Sequence, residues 1–122
     1  MPPTYSNMQT LMISRREHRE LGDVSWLRDF EQAQALARAD GKPILLLFQE
    51  VPGCSTCVNF GHDVLSHPLM VEIIEEHFVP LAIFNNHPGS DAEVLRQFGE
   101  AAWNNPVIHF VTADAEPIVD RL

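Results

Sequence analysis

The spacing of apolar residues changes several times along the chain, and each change marks an element. Residues 1 to about 22 carry Pro2, Pro3 and scattered polar residues with no sustained period, although Leu11, Met12, Ile13 and Leu21 offer apolar side chains. This stretch reads as a loosely structured arm ahead of one domain at 23–122. Trp26, Leu27, Phe30, Ala33, Leu36 and Ala37 then recur at helical spacing, and Asp40-Gly41-Lys42-Pro43 supplies a stop, which predicts a helix over 25–40. Residues 44–48, Ile-Leu-Leu-Leu-Phe, form a short continuous apolar run between breakers, the pattern of a central strand buried on both faces.

A helix is expected to start at the cysteines, Cys54 and Cys57, and to run through Val58 toward Gly61. Pro68 fits the first turn of the next helix, whose apolar stripe is Leu69, Met70, Ile73, Ile74 and His77, with Glu72, Glu75 and Glu76 facing water. A second strand is predicted over 78–84, where Pro80 marks an edge or an irregularity. Ser90-Asp91-Ala92-Glu93 has capping-box spacing ahead of Val94, Leu95 and Phe98, predicting a helix over 91–101. Strands at 107–112 and 117–122, separated by Ala113-Asp114-Ala115-Glu116, complete a terminal hairpin. Strand, helix, strand followed by a hairpin implies an α/β fold whose sheet has both parallel and antiparallel pairs.

Composition changes this picture little, but charge narrows it. The 122 residues, 45% hydrophobic and 20% charged, suit one soluble domain with one core. Eight basic against seventeen acidic residues leave a net charge of −9, which repels phosphate backbones and anionic lipid, so neither nucleic acid nor a membrane is an expected partner. The one basic cluster, Arg15, Arg16, His18 and Arg19, is interleaved with Glu17 and Glu20 and reads as a solvated face. No apolar run approaches the roughly 20 residues that span a bilayer, and no leader pattern opens the chain, so a cytoplasmic location is expected.

Chemistry concentrates at Cys54-Ser55-Thr56-Cys57, immediately after the buried strand. In a reducing compartment such a pair is redox-active or metal-binding rather than a structural staple. A helix N-terminus favours a thiolate, which makes Cys54 the candidate nucleophile, and Cys57, one turn on, the candidate resolving thiol. Two other readings stay open. Cys54, Cys57, His62 and His67 read C-x2-C-x4-H-x4-H, close to a zinc-knuckle spacing, and two inert buried thiols are also compatible with the pattern. His77 and His109 read as core or edge residues, and His62, His67 and His87 are assigned no catalytic role.

The order strand, C-x-x-C, helix, strand, helix, proline-started strand and hairpin over 25–122 resembles the thioredoxin-like superfamily. Within it, the chain is similar to the branch with Ala39-Asp40-Gly41-Lys42-Pro43 before the strand and a proline-started helix over 67–79. The resemblance implies a thioredoxin-like mixed sheet with flanking helices and a thiol-disulfide oxidoreductase whose redox-active disulfide joins Cys54 and Cys57. It also implies a cis-proline at Pro106 facing the cysteines, with Asn105, Pro106 and Gly53 holding an extended segment of a protein substrate. No cofactor or metal is needed; the partners would be protein thiols or disulfides and an electron donor. Trp103 stands where it can flank the site.

Three features differ from the family pattern. Gly53 precedes the first cysteine and Ser55-Thr56 intervene. Leu46, Leu47 and Phe48 fill the strand where thioredoxins carry a buried acid, which leaves Glu50 as the nearest substitute. The chain stops after the hairpin, where the family adds a last helix, so that helix is expected to be missing. A homodimer or another partner is a candidate to cover the face it would occupy.

Overall fold

The computed structural model describes residues 18–101 and 105–119. Its centre is β1 (Ile44–Gln49), all six residues of which are buried. Alternating side chains of a strand point to opposite faces, so a continuous apolar run needs cover on both. Ile44, Leu46 and Phe48 enter one core with Ala33, Ala37, Val94 and Leu95, while Leu45 and Leu47 enter the other with Trp26, Leu65 and Ile74. Beside β1 lie β2 (Val79–Phe84), parallel, and β3 (Val107–Val111), antiparallel, in the order β2-β1-β3. The flanking helices are α1 (Phe30–Asp40), α2 (Ser55–Asp63), α3 (Pro68–His77) and α4 (Ser90–Gln97). The α/β fold with a mixed sheet is therefore the architecture observed, and none of the described helices is long and apolar enough to cross a membrane.

Several boundaries differ from the sequence pattern, each for a tertiary reason. The first helix starts at Phe30 instead of residue 25, because Asp29 caps it by accepting from the Glu31 amide at 3.1 Å. Leu27 instead bridges Leu81: its N–H donates to the Pro80 carbonyl and its carbonyl accepts from Ala82, both on the edge of β2 turned away from β1. The imide of Pro80 faces that same edge, where its missing donor interrupts no bond to β1, so the edge reading of this proline matches the sheet. Gly41 ends α1 in the left-handed conformation, at φ 65°.

On α3, Leu69, Met70 and Ile73 are exposed, at 59%, 38% and 40%, and so is His77; the buried contact runs through Ile74, with Val71 packed beside it. The expected stripe is thus rotated toward solvent. Glu75, expected to face water, instead accepts from the Ser25 amide at 2.8 Å. The capping box at Ser90 does not form: Gly89 is the cap residue, and Asp91 turns inward to pair with Arg28. After β3, Pro117 makes a single antiparallel bridge to Val111, so among the described residues the hairpin returns as a bridge rather than a full strand. Residues 120–122 lie outside the described residues, as do 1–17.

Arg28 ties the segment before α1 to β2 and α4. Its guanidinium meets Asp91 at 2.6 Å, donates to the Ala82 carbonyl and lies 3.5 Å from the centre of the Phe84 ring. Asp91→Ala leaves the guanidinium with the carbonyl and the ring but no counter-charge, so the expected loss is about 1–3 kcal/mol. Urea unfolding measures it, and a midpoint unchanged from the parent would contradict the clamp.

Candidate functional site

The site forms where β1 ends and α2 begins. Val51 is buried, its N–H donates to Asn86 Oδ1 at 3.1 Å, and His87 Nε2 bonds to its carbonyl. These contacts hold the loop that delivers Gly53 and Cys54. The Val51–Pro52 and Asn105–Pro106 peptide bonds are both cis; the first lies at a proline that the sequence pattern did not single out.

Cys54 is the N-cap residue of α2 and is exposed, whereas Cys57 is buried one turn later. Both are free thiols. Backbone N–H groups of Cys57 and Thr56 point at the Cys54 sulfur and hold its pKa below the ordinary thiol value. Burial acts oppositely on Cys57 and pushes its pKa up to about 11. The two sulfurs therefore differ in both exposure and acidity. The Cys57 thiol donates to Asn105 Oδ1 at 2.5 Å, across 48 positions of sequence. That bond brings the segment preceding β3 against the cysteine pair, with Pro106 next to it.

Glu50, the acid expected near the pair, does act on Cys57: beside the larger effect of burial, its backbone bond lowers and its charge raises the thiol pKa. A second carboxylate, Glu20, is not expected there from the sequence. Glu20 sits in a 3-10 turn, Arg19–Leu21, that packs on α2; it is 7% exposed and accepts from the Gly53 N–H at 2.6 Å. A side chain at position 53 would bring its Cβ within 3.0 Å of Glu20 Cγ and 2.6 Å of Cys57 Cβ, so only glycine permits this approach. Gln49, fully buried at the end of β1, donates to the Glu20 carbonyl at 2.9 Å and leans on the Cys57 carbonyl at 3.4 Å. The turn read from sequence as part of a solvated basic face is thus an inner wall of the site. Its only sequence signal lies in the small residues Gly53 and Gly61, which face it from the loop before Cys54 and from α2.

The metal reading does not assemble. His62 is exposed and pairs with Asp63 at 2.9 Å, while His67 Nδ1 caps α3 by accepting from the Leu69 amide at 3.2 Å. Among the described residues no three His, Cys, Asp or Glu side chains gather as a metal site. His109 is part-buried, bonded to Glu100 at 2.8 Å and packed against Phe48 and Phe98. Trp103 lies outside the described residues.

Thiolate is the reactive form, so the lowered pKa shifts alkylation of Cys54 to lower pH, while Cys57 stays slow until the pH nears about 11. Iodoacetamide rates against pH, read by mass spectrometry on each cysteine, test this. A faster Cys57 would reverse the assignment.

Three comparisons bear on this geometry. No curated protein sequence matches the chain. Among solved structures, one described as DsbH oxidoreductase superposes with a TM-score of 0.69 at 19% identity, covering 81% of this chain and 72% of its own. A thioredoxin from Thermus thermophilus gives 0.64 at 26% identity, over 78% of this chain and 72% of that one. The oxidised C-terminal domain of Neisseria meningitidis DsbD gives 0.50 at 22%, over 74% and 76%. The family model described as thioredoxin-like matches residues 25–113, from the strand-like segment at Leu27 through the cysteine pair to the end of β3, and the chain belongs to that family.

Proposed function

We propose that this protein is a thiol-disulfide oxidoreductase acting on protein substrates through Cys54 and Cys57. The observation that carries the reading is the asymmetry of the pair: an exposed, acidified thiol at a helix N-terminus next to a buried thiol whose pKa is raised. Its likeness to a thioredoxin at 26% identity and membership of the thioredoxin-like family support it.

The Cys54 thiolate attacks one sulfur of a substrate disulfide. That S–S bond breaks, a Cys54–substrate disulfide forms, and the displaced sulfur leaves as a thiolate that takes a proton from water. Cys57 then gives up its proton and attacks the Cys54 sulfur. The mixed disulfide breaks, the second substrate sulfur leaves as a thiol, and the protein holds a Cys54–Cys57 disulfide. Two electrons have passed to the substrate, and an external dithiol returns them. With a substrate in the opposite redox state the same steps run in reverse, and no prosthetic group takes part. An extended substrate segment lies along the backbone of Asn105 and Pro106 and against Gly53, where main-chain hydrogen bonds give affinity with little sequence preference.

Reduction of a disulfide-bonded protein, with dithiothreitol as donor, tests the proposal. Catalysis well above the rate of dithiothreitol alone is expected. Stoichiometric capture of the protein without turnover would instead make the chain a binding module.

A further inference from the structure

We infer that the Asn105 carboxamide is a further catalytic group of this site: by accepting a hydrogen bond from the Cys57 thiol it favours the reduced pair over the disulfide. The inference rests on the oxidoreductase reading and assigns a side-chain role that the reading does not require. It starts from the contact of 2.5 Å between Cys57 Sγ and Asn105 Oδ1, made by a buried sulfur and a half-buried amide.

An amide oxygen accepts hydrogen bonds and donates none. It can bond Cys57 only while the sulfur carries its proton. When the Cys54–Cys57 disulfide forms, the two thiol protons and two electrons leave with the reduced substrate, and Oδ1 faces a sulfur that offers no donor. The bond therefore contributes to the dithiol state and not to the disulfide state, which shifts the couple toward the dithiol and makes the pair a weaker reductant. It also holds the Cys57 proton in the resting protein, so that Cys57 becomes a nucleophile only after Cys54 has engaged a substrate sulfur. During resolution the amide can turn its Nδ2 donor toward the developing thiolate, a step open to Asn and closed to a carboxylate.

The experiment compares the parent, Asn105→Leu and Asn105→Asp by equilibration in glutathione buffers at pH 7, with the dithiol and disulfide fractions read by alkylation and mass spectrometry. Cys57 carries its proton at this pH in the dithiol and no charge in the disulfide, so the apolar character of a leucine beside it discriminates little between them. One neutral hydrogen bond lost from the dithiol shifts the equilibrium about three- to tenfold toward the disulfide, a fall in potential of ~15–30 mV in Asn105→Leu. Asn105→Asp keeps the acceptor, so its potential stays at or above that of the parent. It removes the donor and adds negative charge, so resolution of a preformed Cys54 mixed disulfide slows by at least tenfold.

Thermal unfolding of both variants checks that the fold is retained, and the opposite behaviour expected of Leu and Asp is a pattern that simple loosening of the loop does not produce. A Leu variant at or above the parent potential, or an Asp variant that falls with it, overturns the role of Asn105. A parent that forms no intramolecular disulfide in any of these buffers overturns the oxidoreductase reading itself.

Discussion

Cys57→Ser is expected to accumulate covalent adducts with disulfide-bearing proteins, while Cys54→Ser forms none and loses turnover. The exposed sulfur makes the first bond, because the helix-terminal N–H groups favour its thiolate. The buried sulfur is raised to about 11 and shielded, so it competes poorly for an incoming substrate but lies one helical turn from Cys54, within reach of an intramolecular attack. Serine at position 57 cannot perform that attack, and the adduct persists until an external thiol cleaves it. Relative to the parent, turnover falls by roughly 10³-fold or more, since escape becomes bimolecular. Non-reducing electrophoresis with mass spectrometry of the captured chains reads the result. Equal capture by the two variants would remove the division of labour between the sulfurs.

The second large effect is expected at Gly61, one turn beyond Cys57 on the same face of the helix. Helix propensity alone would make Gly61→Ala stabilising by about 1 kcal/mol. Sterics oppose this, because a Cβ at this position would stand 2.0 Å from the Arg19 carbonyl oxygen and 2.7 Å from the Glu20 carbonyl carbon. Both contacts are backbone, which cannot turn aside as the end of a flexible side chain can. The turn must move, and with it Leu21, whose carbonyl accepts from Trp26 Nε1 at 2.8 Å, and Glu20, which holds Gly53. A net loss of roughly 2–3 kcal/mol is expected. Urea unfolding gives the sign directly: a variant more stable than the parent would mean that propensity wins and that the turn is not seated on α2 as described. The same variant is expected to change the alkylation rate of Cys54, because the Glu20–Gly53 bond positions the residue before it.

The basic turn around Arg19 shows why charge pattern misleads where it meets a site. Interleaved charges usually mark a solvated surface, and on that rule Glu20 belongs outside. Its burial is decided by partners 29 and 33 positions away, the Gln49 amide on its carbonyl and the Gly53 N–H on its carboxylate, neither of which leaves a mark on local spacing. The same holds on α3. The apolar residues at 69, 70 and 73 fit a helical face, yet the sheet and the segment at Ser25 meet the neighbouring face through Ile74 and Glu75.

What the sequence determined by itself was therefore whatever depends on short range. The five apolar residues of 44–48 require cover on both sides, and this made the central strand and the layers around it legible. A cysteine at the cap of a helix, with a second one turn later, made the chemistry legible, since acidity at a helix end comes from the adjacent amides. Only the folded chain settled which distant groups touch: Leu27 on the edge of β2, Glu20 behind Gly53, and the Asn105 side chain, beyond the backbone role that the resemblance implied, on the Cys57 thiol. Each of these contacts joins groups more than thirty residues apart whose own surroundings specify no partner, so each exists only where packing of both cores brings the two segments together.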